Sequence, residues 1–261
     1  MIRIFDTHAH YDDEAFDADR DSLFTDFAKQ GVKKIVNIAT DIPSSEEVLK
    51  MVQNYEMLYG VIGIYPTSTG GLDMTPVFTR LKELAGASEK IVAIGEIGLD
   101  YHYDDTDKQL QQTWFASQME LARELSLPIV IHSREAAQDT ITQMRKSHAE
   151  EIGGVIHCYS YTKESAREFL DMDFFFGIGG VLTFKNSKKL KEAVAYIPLD
   201  HIVLETDAPY LAPEPFRGRR NESSYLSYVA ETIAQIKQIP VEEVYEATWD
   251  NAHRLYRIPL N

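Results

Sequence analysis

His8 and His10 stand two apart in the run Asp6-Thr7-His8-Ala9-His10. In an extended strand such residues point to one side, so two imidazoles at this spacing could meet one metal ion. The spacing alone is a weak sign, because eight histidines in 261 residues give about 0.25 such pairs by chance. Four further polar residues add weight to it. Glu96 follows the apolar run 91–95, His132 follows 128–131, His157 follows 154–156, and Asp207 follows 203–206. A lone polar group at a strand end is ordinarily a hydrogen-bonded cap. Six of them on the ends of five apolar runs make a set of imidazoles and carboxylates suited to divalent ions that promote hydrolysis. Asp207 is the candidate general base, with ligation alone as its other role. Cys158 follows His157 directly; a nucleophilic role would need a nearby base together with a lowered thiol pKa, so it reads as a small buried hydrophobe.

These residues require elements that bring five strand ends to one face. Short β-rich apolar runs alternate with amphipathic stretches along the whole chain, the pattern of βα units around a parallel sheet. Strands are expected over 2–7, 34–38, 58–64, 91–97, 128–131, 154–157, 174–178 and 201–204. Helices are expected over 14–30, 45–55, 76–86, 106–126, 134–147, 163–171, 187–196 and 223–238, with a last one over 241–254. Leu110, Trp114, Ser117, Leu121 and Leu125 form the inward stripe of the fourth. Eight such repeats predict an α/β fold of the TIM (β/α)8 barrel type, in which strand C-termini form the active-site face. No linker rich in Pro, Gly or Ser interrupts the series, so residues 1–261 read as a single domain. The one long irregular stretch, 206–222, holds three prolines and three arginines, and long structureless loops in compact domains are usually functional.

Composition narrows the function classes. Hydrophobic residues make up 44% of the chain, enough for a large core and against global disorder. The net charge of −15 argues against broad electrostatic binding to nucleic acid or anionic membrane, so any phosphate must be held by local cations. One cysteine excludes an internal disulfide, and the opening residues lack the apolar core of a signal peptide, which points to the cytoplasm. The longest apolar stretch, 174–182, is about half of a membrane span.

The segments DTHAH, AIGEIGLDYHYD, LPIVIHSREA, GVIHCYS and LETDAPYLAP, in that order, resemble the motif series of the TatD family of metal-dependent deoxyribonucleases, and the similarity extends through TFKNSKK, PFRGRRNE and NAHRLYRI. The resemblance implies a barrel of the amidohydrolase type and a two-ion site. His8, His10, Glu96 and Asp207 would hold one ion, and Glu96, His132 and His157 the other, with Glu96 as the catalytic bridge. It further implies 3′-to-5′ exonuclease activity on DNA, single strands being favoured. The ions are expected to be magnesium, manganese or zinc. Where the family places histidine after strand three, this chain reads Gly63-Ile64-Tyr65-Pro66, so Tyr65 is the expected phosphate contact. Ser160-Tyr161 stands where Ser-Gly is common, and the larger side chain would narrow the groove.

Phosphate recognition calls for cations at the barrel mouth. The candidates are Arg134, Lys185, Arg217, Arg219 and Arg220, arginine being suited to bidentate contact. Tyr101, Tyr103, Tyr159 and Phe216 are candidates for stacking on bases. His102 lies in the loop 100–104 close to Glu96, whereas His148, His201 and His253 read as structural or surface residues. The expected partner is therefore DNA, with no membrane and no obligate protein partner, and the protein is expected to act as a monomer. Two other classes remain open: a hydrolase of an amide or ester, such as a deacylase of a nucleic-acid-linked ester, and a metal-binding scaffold without turnover.

Overall fold

A computed structural model describes residues 2–103 and 107–260. Thr106, the predicted start of the fourth helix, and Asp104 of the predicted loop lie outside the described residues. The strands are β1 (Ile4–Ala9), β2 (Val32–Ile38), β3 (Leu58–Ile62), β4 (Ile91–Asp100), β5 (Ile129–Arg134), β6 (Gly154–Ile156), β7 (Phe175–Ile178) and β8 (Ile202–Leu204). They alternate with α1 (Arg20–Lys29), α2 (Ile42–Asn54), α3 (Met74–Gly86), α4 (Lys108–Leu125), α5 (Ala137–Lys146), α6 (Lys163–Leu170), α7 (Lys188–Tyr196) and α8 (Leu226–Lys237), and α9 (Val241–Leu255) closes the series. All strand pairs are parallel, in the order β1 to β8. This is the expected TIM barrel.

Closure across β8 and β1 is made differently from the other seams. Thr7 Oγ1 donates to the Leu204 carbonyl at 2.9 Å. Beyond β8 the backbone continues the seam, with Asp207 N–H donating to His8 O at 2.9 Å and His10 N–H to Ala208 O at 2.7 Å. The irregular segment after β8 is thus stitched to the end of β1, which brings Asp207 beside the two histidines.

Both faces of the strands are covered, which explains their unbroken apolar runs. One face packs beneath the surrounding helices. The other fills the barrel with Phe5, Val36, Val61, Val130 and Val203, over Trp249, Ala252 and Leu255 of α9. Helix α9 therefore plugs the N-terminal end of the barrel, and the Tyr256 hydroxyl beyond it donates to Thr7 O at 2.8 Å.

Several expected boundaries move. β1 runs on to Ala9, so His8 lies within it. The predicted 14–30 helix breaks into a 3-10 turn over Glu14–Phe16 and α1, since the Asp13 carboxylate caps the turn and Phe16 is drawn into the core. The predicted 223–238 helix likewise opens with a 3-10 turn, Ser223–Tyr225. β4 extends to Asp100 because its second half pairs with His132, Ser133 and Arg134 after a register shift between Ile94 and Ile97. On α4 the buried face includes Gln111 and Gln118 beside Trp114 and Leu121, while Ser117 is only half-buried. Those two glutamines are spent on backbone groups near the site.

Candidate metal centre

All six predicted ligands meet at the C-terminal mouth of the barrel. Asp6, fully buried on β1, prepares the ground. Its carboxylate accepts from Thr206 N at 3.0 Å, Thr206 Oγ1 at 2.6 Å, Ser223 Oγ at 2.6 Å and His8 N at 3.3 Å. Burial pushes its pKa up to about 7 against the lowering effect of these donors. Asp6 thus ties β1 to the segment that carries Asp207. Glu96 is turned into the barrel by the irregularity in β4, as bulges commonly re-aim a side chain. Gly98, two residues on, has φ of 139°, and a Cβ there would lie 2.0 Å from the His132 carbonyl oxygen. Only glycine permits β4 and β5 to approach so closely at the site.

The two oxygens of Glu96 face different partners. Oε2 is 3.6 Å from His8 Nε2, which in turn is 3.3 Å from His10 Nε2 and 3.7 Å from Asp207 Oδ1. His10 Nε2 lies 3.4 Å from the same Asp207 oxygen. Oε1 of Glu96 is 2.7 Å from His132 Nδ1 and 3.7 Å from His157 Nε2. The His8 and His157 rings stack at 3.5 Å between the two groups.

Behind the ligands stand groups that hold the ring orientations. His10 Nδ1 is 2.8 Å from the Ile38 carbonyl. His132 Nε2 is 3.0 Å from the Tyr65 hydroxyl and 3.3 Å from Asp100 Oδ2. His157 Nδ1 is 3.1 Å from Glu205 Oε1, off the line of a hydrogen bond, and that oxygen accepts from Cys158 N at 2.6 Å. Asp100 and Glu205 are both buried and were not singled out from the sequence. Their signal was present in GLD and LETD, acids set at the ends of apolar runs. Glu205 is accommodated because β7 offers Gly177, where a Cβ would lie 1.9 Å from its Oε2.

The electrostatics follow from burial and crowding. Burial alone would raise the Glu96 carboxyl, but His157, His132 and His10 outweigh it and hold it at about 2. Burial opposes charge on His157 as well, yet Glu205 and Glu96 push it up to about 10. Asp207 and Glu96 similarly raise His10 to about 9 against burial. His8 goes the other way, driven well down by burial and by His157, His10 and His132.

The donor set fits divalent cations. The separations of 3.3–3.7 Å around His8, His10, Glu96 and Asp207 are mostly long for hydrogen bonds, and ligands sharing one ion at about 2.0–2.2 Å stand at similar spacings. His8 and Glu96 also group with His157, and His157 with Cys158 and Glu205. A cation would replace the protons that balance these buried carboxylates.

The centre opens into a cavity of about 540 Å³ lined by Tyr65, Tyr103, Arg134 and Tyr210, with Asp12 and Asp13 also on its wall. Arg134 is the one expected phosphate-binding cation among the described lining residues. Lys185 and Arg219 are exposed elsewhere, and Arg217 sits over the Phe184 ring at 4.3 Å. Arg220 pairs with both oxygens of Asp19, at 2.8 and 2.6 Å, and so clips the loop after β8 to the start of α1. Of the aromatic candidates, Tyr103 lines the cavity, while Tyr159 is buried, Phe216 stacks on Tyr225 at 4.1 Å, and Tyr101 donates to Asp139 at 2.9 Å. Tyr161, in the loop between β6 and α6, is held against β5, where its hydroxyl lies 3.0 Å from Ser133 Oγ. His102 lies near the mouth, 2.8 Å from Glu135, whereas His253 is buried against Phe5 and Trp249 at the opposite end.

Comparison with known proteins agrees with this geometry. The profile of the family described as TatD related DNase matches residues 5–257. An uncharacterized metal-dependent hydrolase, YabD of Bacillus subtilis, is 44% identical over 256 residues, covering 98% of this chain and 99% of that protein. The crystal structure of YJJV, a TatD homolog from Escherichia coli, superimposes with a TM-score of 0.93 at 29% identity, covering 99% of each chain. An uncharacterized amidohydrolase from Saccharomyces cerevisiae, 18% identical with a TM-score of 0.83 over 98% of this chain and 100% of its own, shares the fold.

Proposed function

Because the chain belongs to the TatD-related DNase family of metal-dependent hydrolases, we propose that it hydrolyses DNA phosphodiester bonds, removing nucleotides from the 3′ ends of single strands with two divalent ions. The observation that carries this reading is the division of Glu96. One oxygen faces His8, in the group that includes His10 and Asp207, and the other faces His132 and His157. That division suits two ions sharing one carboxylate. Magnesium, manganese or zinc ions held there would supply Lewis acidity and make water acidic enough to attack near neutral pH.

The protein's own groups have distinct parts in this reaction. Asp207 accepts the proton of the attacking water, from a position 3.4 Å from His10 Nε2. Arg134 holds a non-bridging phosphate oxygen of the terminal nucleotide, and Tyr103 beside it stacks on the terminal base. Lys185, Arg217 and Arg219 meet the following phosphates outside the cavity. In this reading the enzyme works in the cytoplasm as a monomer and needs no protein partner.

A second reading has one specific observation in its favour. Asp12 and Asp13 line the cavity on which Arg134 also opens, and a polyanion gains nothing from carboxylates there. An ester or amide substrate, such as an acyl ester carried on a nucleic acid, would suit such a wall better.

The test uses metal-stripped protein reloaded separately with magnesium, manganese or zinc, on 3′-labelled and 5′-labelled single-stranded oligonucleotides, beside Glu96→Ala. Stepwise shortening from the 3′ end that vanishes in the variant is expected. No cleavage with any metal, at confirmed occupancy, overturns the nuclease reading. Turnover of ester or amide substrates under the same metal would then establish the second.

A further inference from the structure

We propose that Asp100 and Tyr65 form a positioning pair for His132, fixing which ring nitrogen faces Glu96 and thereby how firmly the second ion is held. The inference rests on the two-ion reading. His132 presents Nδ1 to Glu96 Oε1 at 2.7 Å, which leaves Nε2 to be satisfied elsewhere. A neutral imidazole has one N–H and one lone pair, and the partner of one nitrogen selects what the other offers. Here the Tyr65 hydroxyl donates to Asp100 Oδ2 at 2.8 Å, and its oxygen stands 3.0 Å from His132 Nε2. Asp100 Oδ2 is itself 3.3 Å from that nitrogen. Both acceptors call for a proton on Nε2, so a cation that replaces the proton between Nδ1 and Glu96 Oε1 meets the Nδ1 lone pair. The Tyr65 ring packs against the imidazole at 4.8 Å and limits its rotation.

The pair is anchored by the two buried glutamines of α4. Gln111 accepts from Asp100 N at 2.8 Å and donates to Asp100 O at 2.9 Å. Gln118 accepts from Ile64 N at 2.8 Å and donates to Ile64 O at 3.0 Å, fixing the residue before Tyr65. Asp100 Oδ1 is occupied by His102 N–H at 3.0 Å, so its other oxygen is directed at Tyr65 and His132. Such a relay from helix to carboxylate to imidazole is costly to build, with a carboxylate 0% exposed and both glutamines 1% exposed. It serves no purpose in closing the barrel, because β4 and β5 are already paired through their backbones. In this chain the Tyr65 hydroxyl is therefore used on His132 rather than on a substrate phosphate.

Tyr65→Phe removes one oxygen and keeps the ring, while Asp100→Asn keeps the shape and removes the charge. Each protein would be loaded with manganese or zinc, dialysed against a graded series of chelator-buffered free metal, and assayed for metal per protein, beside the melting temperature of the metal-free form. Wild type is expected to hold two equivalents. In both variants the second equivalent is lost at free metal about 10–100-fold higher than in wild type, the usual effect of removing a group that supports a ligand, while the first is retained as before. Tyr65→Phe should melt as wild type does when metal-free. Retention of both equivalents at wild-type affinity overturns the proposal, as does a Tyr65→Phe protein altered only in KM, which would make Tyr65 a substrate contact. If Asp100→Asn does not fold, Tyr65→Phe decides alone. A wild-type protein that holds fewer than two equivalents refutes the two-ion reading itself, and the positioning role falls with it.

Discussion

At Asp207 the backbone has φ of 57°, in the left-handed region, while the side chain faces His8 and His10. Aspartate and asparagine tolerate that conformation better than other residues with a Cβ, for which it costs about 1–2 kcal/mol. Asp207→Asn should therefore fold as wild type and lose at least about 100-fold in rate, the scale of a lost general base. Asp207→Ala should lose as much activity and, in addition, about 1 kcal/mol of stability in the metal-free protein, read from urea unfolding. An active Asn variant would remove Asp207 from the chemistry. At this scale the residues that meet at the barrel mouth were legible because each sits at the end of an apolar run. The nitrogen used by His132, and the carboxylates of Asp100 and Glu205 behind the imidazoles, were not, because burial and ring direction are properties of packing rather than spacing.

Elements differ in how well local pattern describes them. The alternation of runs located all eight strands, since a buried parallel strand announces itself by apolar continuity. β4 ran three residues past its expected end because pairing with β5, not its own propensity, decides where it stops. Helix α9 was legible as a helix but not as the plug of the barrel. Its His253 packs edge-on against Phe5 at 5.5 Å, with Nδ1 2.9 Å from the Ile258 carbonyl, and burial lowers its pKa below the ordinary 6.5. The folded protein therefore keeps His253 neutral at pH values where the unfolded chain protonates it. Stability from this source is complete above about pH 6.5 and declines as pH falls toward the lowered folded value, by at most about 1.4 kcal/mol per pH unit. Between pH 7 and 5, wild type should lose stability more steeply than His253→Gln in parallel urea titrations. A constant difference between the two proteins would show that His253 is not held neutral.

The molecule as a whole carries a net charge of −15 and gathers Glu96, Glu205 and Asp207, with Asp6 and Asp100 behind them, at one end of its barrel. A cation that binds this arrangement only when folded adds about 2.7 kcal/mol at 100 times its Kd. In a chain of this size that corresponds to a rise in Tm of about 5–10 °C, reversed by chelator and measurable by scanning calorimetry. An unchanged Tm at saturating manganese and zinc would argue against the metal centre. By itself the sequence determined the repeating βα order and picked out the six imidazole and carboxylate side chains that the barrel gathers at its mouth, because alternation and residue type survive in one dimension. Tertiary structure alone decided that the segment after β8 is stitched to β1, bringing Asp207 to His8 across the 198 residues between them. It likewise decided that Arg134 opens on the cavity while Arg220 is spent on Asp19. Those outcomes depend on how the barrel closes and which way each side chain then points, and neither is written in the spacing of residues along the chain.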